Sequence, residues 1–177
     1  GMAPLSQSGD ILLLGDNGSE LAVATGLLYA GLDPVFGGVY GQWDGVFPDL
    51  SGIKTVVFLD GVGYGEGFSA EATAALSDYV AGGGGLVLTE WTTYDLRNRD
   101  IDASFASLMP VFQRHGVTVD GDTWNVVDPD HPVVDTLPGR WYDPARHSIV
   151  EATPGATVIA TGRDDIPLVT EKSIGAG

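Results

Sequence analysis

Residues 55–92 constrain the fold of this chain more than any other stretch. They begin within a nearly all-apolar run, residues 54–59, pass through a glycine-rich loop and a helix-forming segment, and reach a second apolar run at residues 86–89. The glycines at positions 82–85 predict a tight turn between the helical segment and the second run. Short apolar runs separated by a helix are typical of neighbouring parallel strands that are buried on both faces.

The N-terminal segment shows the same alternation of strand and helix. Residues 11–14 and 35–39 predict two strands, and the helix between them should begin after Ser19 and end at Gly31. The next helix should be capped by Ser69. This alternation predicts an α/β fold with a central, mostly parallel sheet that helices cover on both faces.

The C-terminal half of the sequence is less regular. Residues 104–113 predict a helix and residues 116–122 a short strand. Residues 124–146 contain four prolines and four aspartates and predict a long structured loop. Residues 157–161 and 167–171 predict two closing strands joined by a turn.

The chain length of 177 residues favours one domain over residues 1–177. Gly1 before Met2 is typical of a tag remnant. The sequence stops just after a predicted strand, so we expect this domain to be cut from a longer protein. No apolar run approaches the ~20 residues of a membrane span, so no membrane insertion is expected in this segment.

The formal charge of −16 limits the partners of the protein. Such a surface repels phosphate backbones and anionic lipids, so we expect no nucleic acid partner. Most of the acidic residues are scattered through loops, which indicates a solubilising surface and favours an extracellular or cell-envelope location without fixing one. Ca²⁺ sites are the alternative explanation of these acids; we predict no metal and no cofactor.

Several motifs occur in an order that resembles a known superfamily. They are a strand leading into a loop before a helix (residues 55–69), a helix followed by glycines, a strand and an elbow (75–92), a His-Pro to Leu-Pro stretch (130–141) and a closing hairpin (156–177). Their order is similar to that of the class I glutamine amidotransferase-like superfamily. Within it, the motifs most resemble those of ThuA-like proteins and of β-galactosidase middle domains. The resemblance implies a flavodoxin-like three-layer sandwich with a central, mostly parallel sheet. The site prediction below takes the strand order of that sheet to be 2-1-3-4-5.

The chain departs from that superfamily where the nucleophile belongs. The resemblance places a catalytic Cys at the elbow, where this sequence has Thr89, Glu90, Trp91 and Thr92, and the chain contains no cysteine. Thr92 would need a positioned base to act as a nucleophile, and none is evident from the sequence. We therefore expect no thiol-dependent glutaminase activity.

Polar residues follow three of the predicted parallel strands. Because loops after parallel strands meet at one edge of a sheet, we predict one ligand site there. Its candidate residues are Asp16, Asn17, Asp60, Tyr64, Glu90 and Trp91. The carboxylates could bind a cation or act as an acid and a base, or they could cap loops and helix N-termini by accepting backbone N–H bonds.

Two other features have simpler explanations. Four glycines alternate over residues 61–67, but this spacing is not the dinucleotide fingerprint, so a tight or mobile loop is the better interpretation. The acids between Asp120 and His131 lack the spacing of an EF-hand and are typical of a surface loop. Whether a metal binds that loop stays open.

Two functions fit these observations. The first is a non-catalytic binding or scaffolding domain that recognises a small molecule or carbohydrate, or other domains of a parent chain. The absence of a thiol, the acidic surface and the loop tryptophans motivate it. The alternative is a carboxylate-dependent hydrolase with Glu90 as its central residue and Asp16 or Asp60 assisting.

The missing thiol gives a direct prediction. Incubation of the protein with glutamine should release no ammonia above background, because the elbow carries Glu90 and no cysteine. An enzymatic ammonia assay measures this. Ammonia release that Thr92→Ala abolishes would contradict the prediction.

Overall fold

The computed structural model describes residues 9–175 of the chain. It has a mixed α/β fold with one parallel and one antiparallel four-stranded sheet. The described residues form two compact units, the first ending at Ser104 and including Gly175, the second spanning Phe105–Ile174. The organisation of residues 1–177 as one domain stays a prediction.

The first unit contains the predicted parallel sheet. All three strand pairings are parallel, and the strand order is β2-β1-β3-β4. Its elements are β1 (Ile11–Gly15), α1 (Glu20–Tyr29), β2 (Pro34–Val39), β3 (Thr55–Phe58), α2 (Ala70–Ala81), β4 (Gly85–Leu88) and α3 (Thr92–Asn98). The prediction that residues 54–59 and 86–89 form adjacent parallel strands is confirmed. Their predicted burial holds for β3 and is wrong for β4, an edge strand in which Val87 is 53% exposed. The strand order agrees with the first four positions of the order 2-1-3-4-5.

The central strands of this sheet are buried on both faces. On one face Leu13 and Val57 pack with Ala24 of α1. Because side chains alternate along a strand, Phe58 points to the opposite face. There its ring contacts Tyr40, with 4.8 Å between ring centroids, and meets Phe68 edge-on. Burial on both faces accounts for the continuous apolar runs in the sequence.

The second unit is an antiparallel sheet of order β6-β5-β7-β8. Its strands are β5 (Val111–Val126), β6 (Arg140–Ala152), β7 (Thr157–Thr161) and β8 (Pro167–Glu171). The two closing strands are thus confirmed as an antiparallel pair. The short strand expected at residues 116–122 lies within the much longer β5.

The helix predicted for residues 104–113 is wrong. Only a short 3-10 helix, Ala103–Ser107, forms there, and the chain is extended from Val111. Pro110 disfavours the α conformation of the residue before it. Beyond it, Val111 joins a buried cluster with Val150 and Ile166, which only an extended chain in the sheet allows.

The long loop predicted for residues 124–146 is also wrong at both ends. Trp124 ends up opposite Trp141 in the β5–β6 hairpin, with 5.1 Å between ring centroids, so the connecting loop covers only residues 127–139. Pro144 suggested a loop but lies on β6, an edge strand. An edge strand tolerates proline because one of its sides needs no backbone hydrogen bonds.

The described helices are all short: α2, the longest, has 12 residues. In the part of the chain that the structure describes, no helix is long and apolar enough to cross a membrane.

The start of α2 gives a stability prediction. Ser69 Oγ accepts a hydrogen bond from the Ala72 backbone N–H at 3.1 Å, as predicted for a cap. Ser69→Ala should lower the free energy of unfolding by about 1 kcal/mol, because that N–H loses its partner. Ser51→Ala, at an exposed serine, is the control and should change it by less than about 0.5 kcal/mol. Equal effects in urea unfolding would contradict the role of Ser69 as a cap.

Candidate functional site

The candidate site lies in the first unit, where the chain leaves the parallel strands. Asp16 directly follows β1, Tyr40 follows β2, Asp60 lies two residues after β3, and Glu90 lies two residues after β4. All four strands are parallel, so these residues leave the sheet at its carboxyl edge. Asp16, Tyr40 and Asp60 are almost completely buried.

Asp16 ties three segments together. Its side chain is only 1% exposed. Oδ1 accepts hydrogen bonds from the backbone N–H groups of Gly18 and Ser19, at 3.1 and 2.9 Å, and Oδ2 accepts one from the Val62 N–H at 2.9 Å. Burial acts to raise the pKa of Asp16, but these bonds and that of the Ser19 hydroxyl outweigh it and lower the pKa. Asp16 therefore stays ionised and holds the start of α1 and the loop after β3.

Asp60 has the opposite character. It is 1% exposed, and neither of its carboxyl oxygens has a hydrogen bond of regular length and angle among the described residues. Asp95 and Tyr40 nonetheless lie near enough to influence its ionisation. Burial, followed by the negative charge of Asp95, raises the pKa of Asp60 to about 8. Asp60 is therefore mostly protonated at neutral pH.

The backbone of Asp60 is firmly held. Its N–H donates to Thr89 Oγ1 at 2.7 Å, and the same hydroxyl donates back to the Asp60 carbonyl at 2.6 Å. Thr89 belongs to the elbow after β4, so this reciprocal pair joins the ends of β3 and β4. These two bonds fix the backbone position from which the Asp60 side chain extends.

Asp95, on the first turns of α3, completes the cluster of acids. It is fully buried and accepts hydrogen bonds from the Tyr40 hydroxyl at 3.1 Å and from the Gly65 N–H at 2.9 Å. Burial raises the pKa of Asp95, although the bonds from Gly65 and Tyr40 act to lower it. Asp95 and Asp60 therefore behave as a coupled pair of buried acids.

Tyr40 remains a neutral phenol in this environment. Burial and the nearby carboxyl groups of Asp60 and Asp95 raise the pKa of Tyr40 far above its ordinary value. Its hydroxyl lies 3.1 Å from Asp95 and 3.2 Å from the Gly63 carbonyl. Tyr40 thus supplies a hydrogen-bond donor between α3 and the loop after β3.

Neither Tyr40 nor Asp95 was among the site residues predicted from the sequence. Tyr40 could have been found, because it directly follows a predicted strand and the rule applied to the other three strands holds for it too. Asp95 carries no such signal, because it lies within α3 and no strand ends beside it. Only tertiary packing brings Asp95 to the site.

The outer part of the site is aromatic. Tyr64 stacks on Trp91 with 5.4 Å between ring centroids, and Tyr94 meets both rings edge-on. Tyr64 is 53% exposed. We call these three residues the aromatic rim.

The remaining predicted residues lie around these groups. Asn17 is exposed and has a left-handed backbone with φ of 64°, and its amide donates to Glu66 Oε1 at 3.3 Å. Glu90 is half-buried, and its backbone carbonyl accepts hydrogen bonds from the N–H and hydroxyl of Thr93. The structure thus brings Tyr64 into contact with Trp91. Asp16 accepts a hydrogen bond from the Val62 N–H, two residues after Asp60, and its negative charge acts to raise the pKa of Asp60.

The acids of the second unit have other partners. Asp120 forms an ion pair with Arg146 at 2.6 Å, and Asp122 accepts a bond from the Arg163 N–H and lies 3.2 Å from His147 Nε2. His131 contacts Glu171 at 3.1 Å. Over residues 9–175, no group of three or more His, Cys, Asp or Glu residues is arranged to hold a metal ion.

Comparison with solved structures confirms the resemblance at the level of the fold. A ThuA-like protein from Parabacteroides merdae matches with a TM-score of 0.67 and 18% identity; the matched region spans 93% of this chain and 75% of the Parabacteroides protein. A cytoplasmic protein from Salmonella typhimurium matches with a TM-score of 0.69 and 17% identity, covering 91% and 81%. A glutamine amidotransferase from Thermotoga maritima matches with a TM-score of 0.55 and 11% identity, covering 93% and 72%.

Sequence comparison adds no closer relationship. No protein-family model matches the chain, and no curated protein matches it by sequence. The chain therefore shares the fold of ThuA-like and glutamine amidotransferase-like proteins and lacks the cysteine that the resemblance places at the elbow.

The hydrogen bonds of Asp16 give a pH-dependent prediction. Asp16→Asn should lower the free energy of unfolding at pH 7 by about 1–3 kcal/mol, because the amide nitrogen cannot accept the bonds that one carboxylate oxygen accepts. Since the folded pKa of Asp16 is lowered, its contribution is present above the unfolded pKa and is lost as the pH falls. The difference between variant and wild type should therefore shrink towards pH 3 in urea unfolding.

Asp33→Asn is the matched control, because it removes the same charge from an exposed side chain. It should have little effect at either pH. A loss for Asp16→Asn that is equal at pH 7 and pH 3 would contradict the assignment of Asp16 as an ionised cap.

Proposed function

We propose that this chain is a non-catalytic amidotransferase-like domain that binds a small neutral ligand, a carbohydrate or related polyol, at the carboxyl edge of its parallel sheet. The observation that carries the proposal is the aromatic rim. Tyr64 and Trp91 come from loops after two neighbouring strands and stack on each other, and the Tyr64 ring remains half exposed. An exposed aromatic face beside polar groups is typical of a ligand-binding surface.

The polar groups beside the rim suit a neutral ligand. Asn17 and Glu66 are linked by a hydrogen bond and are partly or fully exposed, so they offer donors and acceptors to hydroxyl groups. Glu66 belongs to the same loop as Tyr64. The net charge of −16 opposes an anionic ligand. A sugar-like ligand offers hydroxyl groups to these polar side chains and an apolar ring face to the aromatic rim. It therefore matches the site better than a phosphate or carboxylate ligand does.

A binding role also agrees with how the acids are used. The carboxylate of Asp16 is occupied by backbone N–H groups, and Asp60 is closed off from solvent. Glu90 stands in the elbow region where the resemblance implies a thiol. These features support a site that retains the architecture of the superfamily without its nucleophilic chemistry.

The finer architecture belongs to the same proposal. Within the first unit, α1 on one face of the parallel sheet and the buried ring of Phe58 on the other support a flavodoxin-like three-layer arrangement. That residues 1–177 form a single domain is part of the proposal. As in the sequence analysis, such a domain would belong to a longer parent protein and could also contact its other domains.

The alternative is a carboxylate-dependent hydrolase. It is favoured by the opposite pKa shifts of Asp16 and Asp60, because a lowered and a raised carboxyl pKa in one site is the pattern of a base and an acid. Glu90 would be its central residue. This function would require the substrate to reach Asp60, which is buried in the described structure.

A saccharide panel tests the proposal. Binding of neutral mono- and disaccharides, measured by saturation-transfer NMR and calorimetry, should include at least one ligand whose affinity falls tenfold or more in Tyr64→Ala, a loss of about 1.4 kcal/mol. The melting temperature should fall only modestly, because Tyr64 loses its contacts with Trp91 and Tyr94 but is already 53% exposed.

Tyr142→Ala is the matched control, since Tyr142 is an exposed tyrosine of the second unit. It should leave the affinity unchanged. Binding that is equally insensitive to both substitutions would contradict the role of the aromatic rim. Turnover of a chromogenic glycoside that Glu90→Gln abolishes would instead support the hydrolase.

A further inference from the structure

Helix α1 is uncharged and mostly apolar on its outer side as well as on its inner side. On the inner side, Val23, Ala24 and Leu27 pack against the core residues of the parallel sheet. The outer side, together with the turn that follows, contains residues at the spacing of a helix surface. These residues are Leu21, Ala22, Thr25, Gly26, Leu28, Tyr29 and Leu32, and all of them are exposed. Tyr29 is the most exposed, at 89%.

Strand β2 extends this apolar surface at the edge of the sheet. In the parallel pairing of β1 with β2, Phe36 lies beside Leu13. Leu13 packs with Ala24 of α1, so Phe36 lies on the same face of the sheet as α1. β2 is an edge strand of the described sheet, and Phe36 is 52% exposed. We call the five large exposed residues of this surface the α1 face: Leu21, Leu28, Tyr29, Leu32 and Phe36.

The α1 face is also free of charge along the chain. Residues 21–32 contain no charged side chain, although the protein has a formal net charge of −16, and the nearest acids are Glu20 and Asp33 at the two ends of this run. The exposed side of a surface helix normally carries charged or polar residues. A contiguous apolar patch on a surface marks a site of association.

Gly26 lies midway along this run, and its own chain does not explain it. A Cβ at Gly26 would have no neighbour within 4 Å among the described residues outside its own helix turns, and its φ is not positive. Glycine inside a helix lowers stability relative to alanine. The close approach of another backbone does explain a glycine here, because the absence of a side chain lets two helices cross at short distance.

We propose that the α1 face binds a second copy of this chain and forms a two-fold symmetric dimer in which the two α1 helices cross at Gly26. In such a dimer the same patch is used twice, and the residues at the crossing point meet their own symmetry mates. Gly26 lies between apolar residues on both sides, from Leu21 to Leu32, so the face is suited to pack on itself. The dimer involves no residue of the aromatic rim and does not rest on the proposed function.

The exposed area and the charge both favour a second copy as the partner. The α1 face exposes on the order of 600 Å², at about 200 Å² for a fully exposed residue of this size. With the smaller exposed residues between its members, it approaches the roughly 800 Å² per partner of a standard interface. A strongly charged partner would find no charged group here to pair with. Two copies with a net charge of −16 each, in contrast, repel least where the surface is uncharged.

Sedimentation of the full 177-residue chain tests the dimer without any ligand. The wild type should dimerise with a dissociation constant of about 10 µM, a value in the range of a modest interface. Tyr29→Lys should weaken the dimer tenfold or more, because it brings a charge into an apolar contact. The substitution reduces the net negative charge, so repulsion between the copies cannot cause this loss. Tyr142→Lys, at an exposed tyrosine of the second unit, is the matched control and should leave the dissociation constant unchanged.

Gly26→Gln separates the dimer from the fold. Glutamine is a better helix former than glycine, and its Cβ has open space in the single chain. The midpoint of urea unfolding, measured at about 0.5 µM where the chain is mostly monomeric, should therefore not fall. The dimer should nevertheless weaken tenfold or more, because the added side chain keeps the crossing helices apart.

Three results would overturn the proposal. The first is a wild-type chain that stays monomeric at about 200 µM, well above the expected dissociation constant. The second is a dimer that either Tyr29→Lys or Gly26→Gln leaves intact. The third is a dimer that Tyr142→Lys weakens as much as Tyr29→Lys does. A saccharide panel without any binding would count against the proposed function and would leave the dimer standing.

Discussion

The arrangement at the carboxyl edge of the parallel sheet depends on burying ionisable side chains without a positive partner. Asp16, Tyr40, Asp60 and Asp95 are each 1% exposed or less. Backbone N–H groups and hydroxyls stabilise Asp16 and Asp95, and a proton neutralises Asp60. Because these acids accept bonds from the loops, the conformations after β1 and β3 are consequences of how each acid is satisfied.

The same arrangement gives the elbow after β4 a structural role. Thr89 at the elbow binds the backbone of Asp60 in both directions, and Asp95, one turn into α3, receives the loop N–H of Gly65. The elbow therefore connects β3, β4 and α3 to each other. A threonine hydroxyl that both donates and accepts in such a pair is committed to structure.

The sequence predicted the parts of the molecule whose pattern is local. Burial on both faces leaves a continuous apolar signal in the central strands β1 and β3. The short apolar runs of the edge strands β2 and β4 and the Ser69 cap of α2 were also sufficient to predict those elements. The predicted strand ends placed Asp16 and Asp60 at the carboxyl edge of the sheet. The sequence could not predict Asp95, whose position depends on how α3 packs. It also misassigned residues 104–113, because an apolar segment that suits a helix is recruited into β5 by contacts with Val150 and Ile166, far away in the chain.

Asp16 and Asp60 differ in what their burial contributes. Asp16 accepts three backbone hydrogen bonds, so its role in holding the loops accounts for its presence. Asp60 accepts none of regular geometry, and burying an unpaired carboxyl group lowers stability relative to an apolar residue of similar size. Burial beside Asp95 raises the pKa of Asp60, so a neutral acid rather than a second carboxylate faces Asp95 in the closed interior.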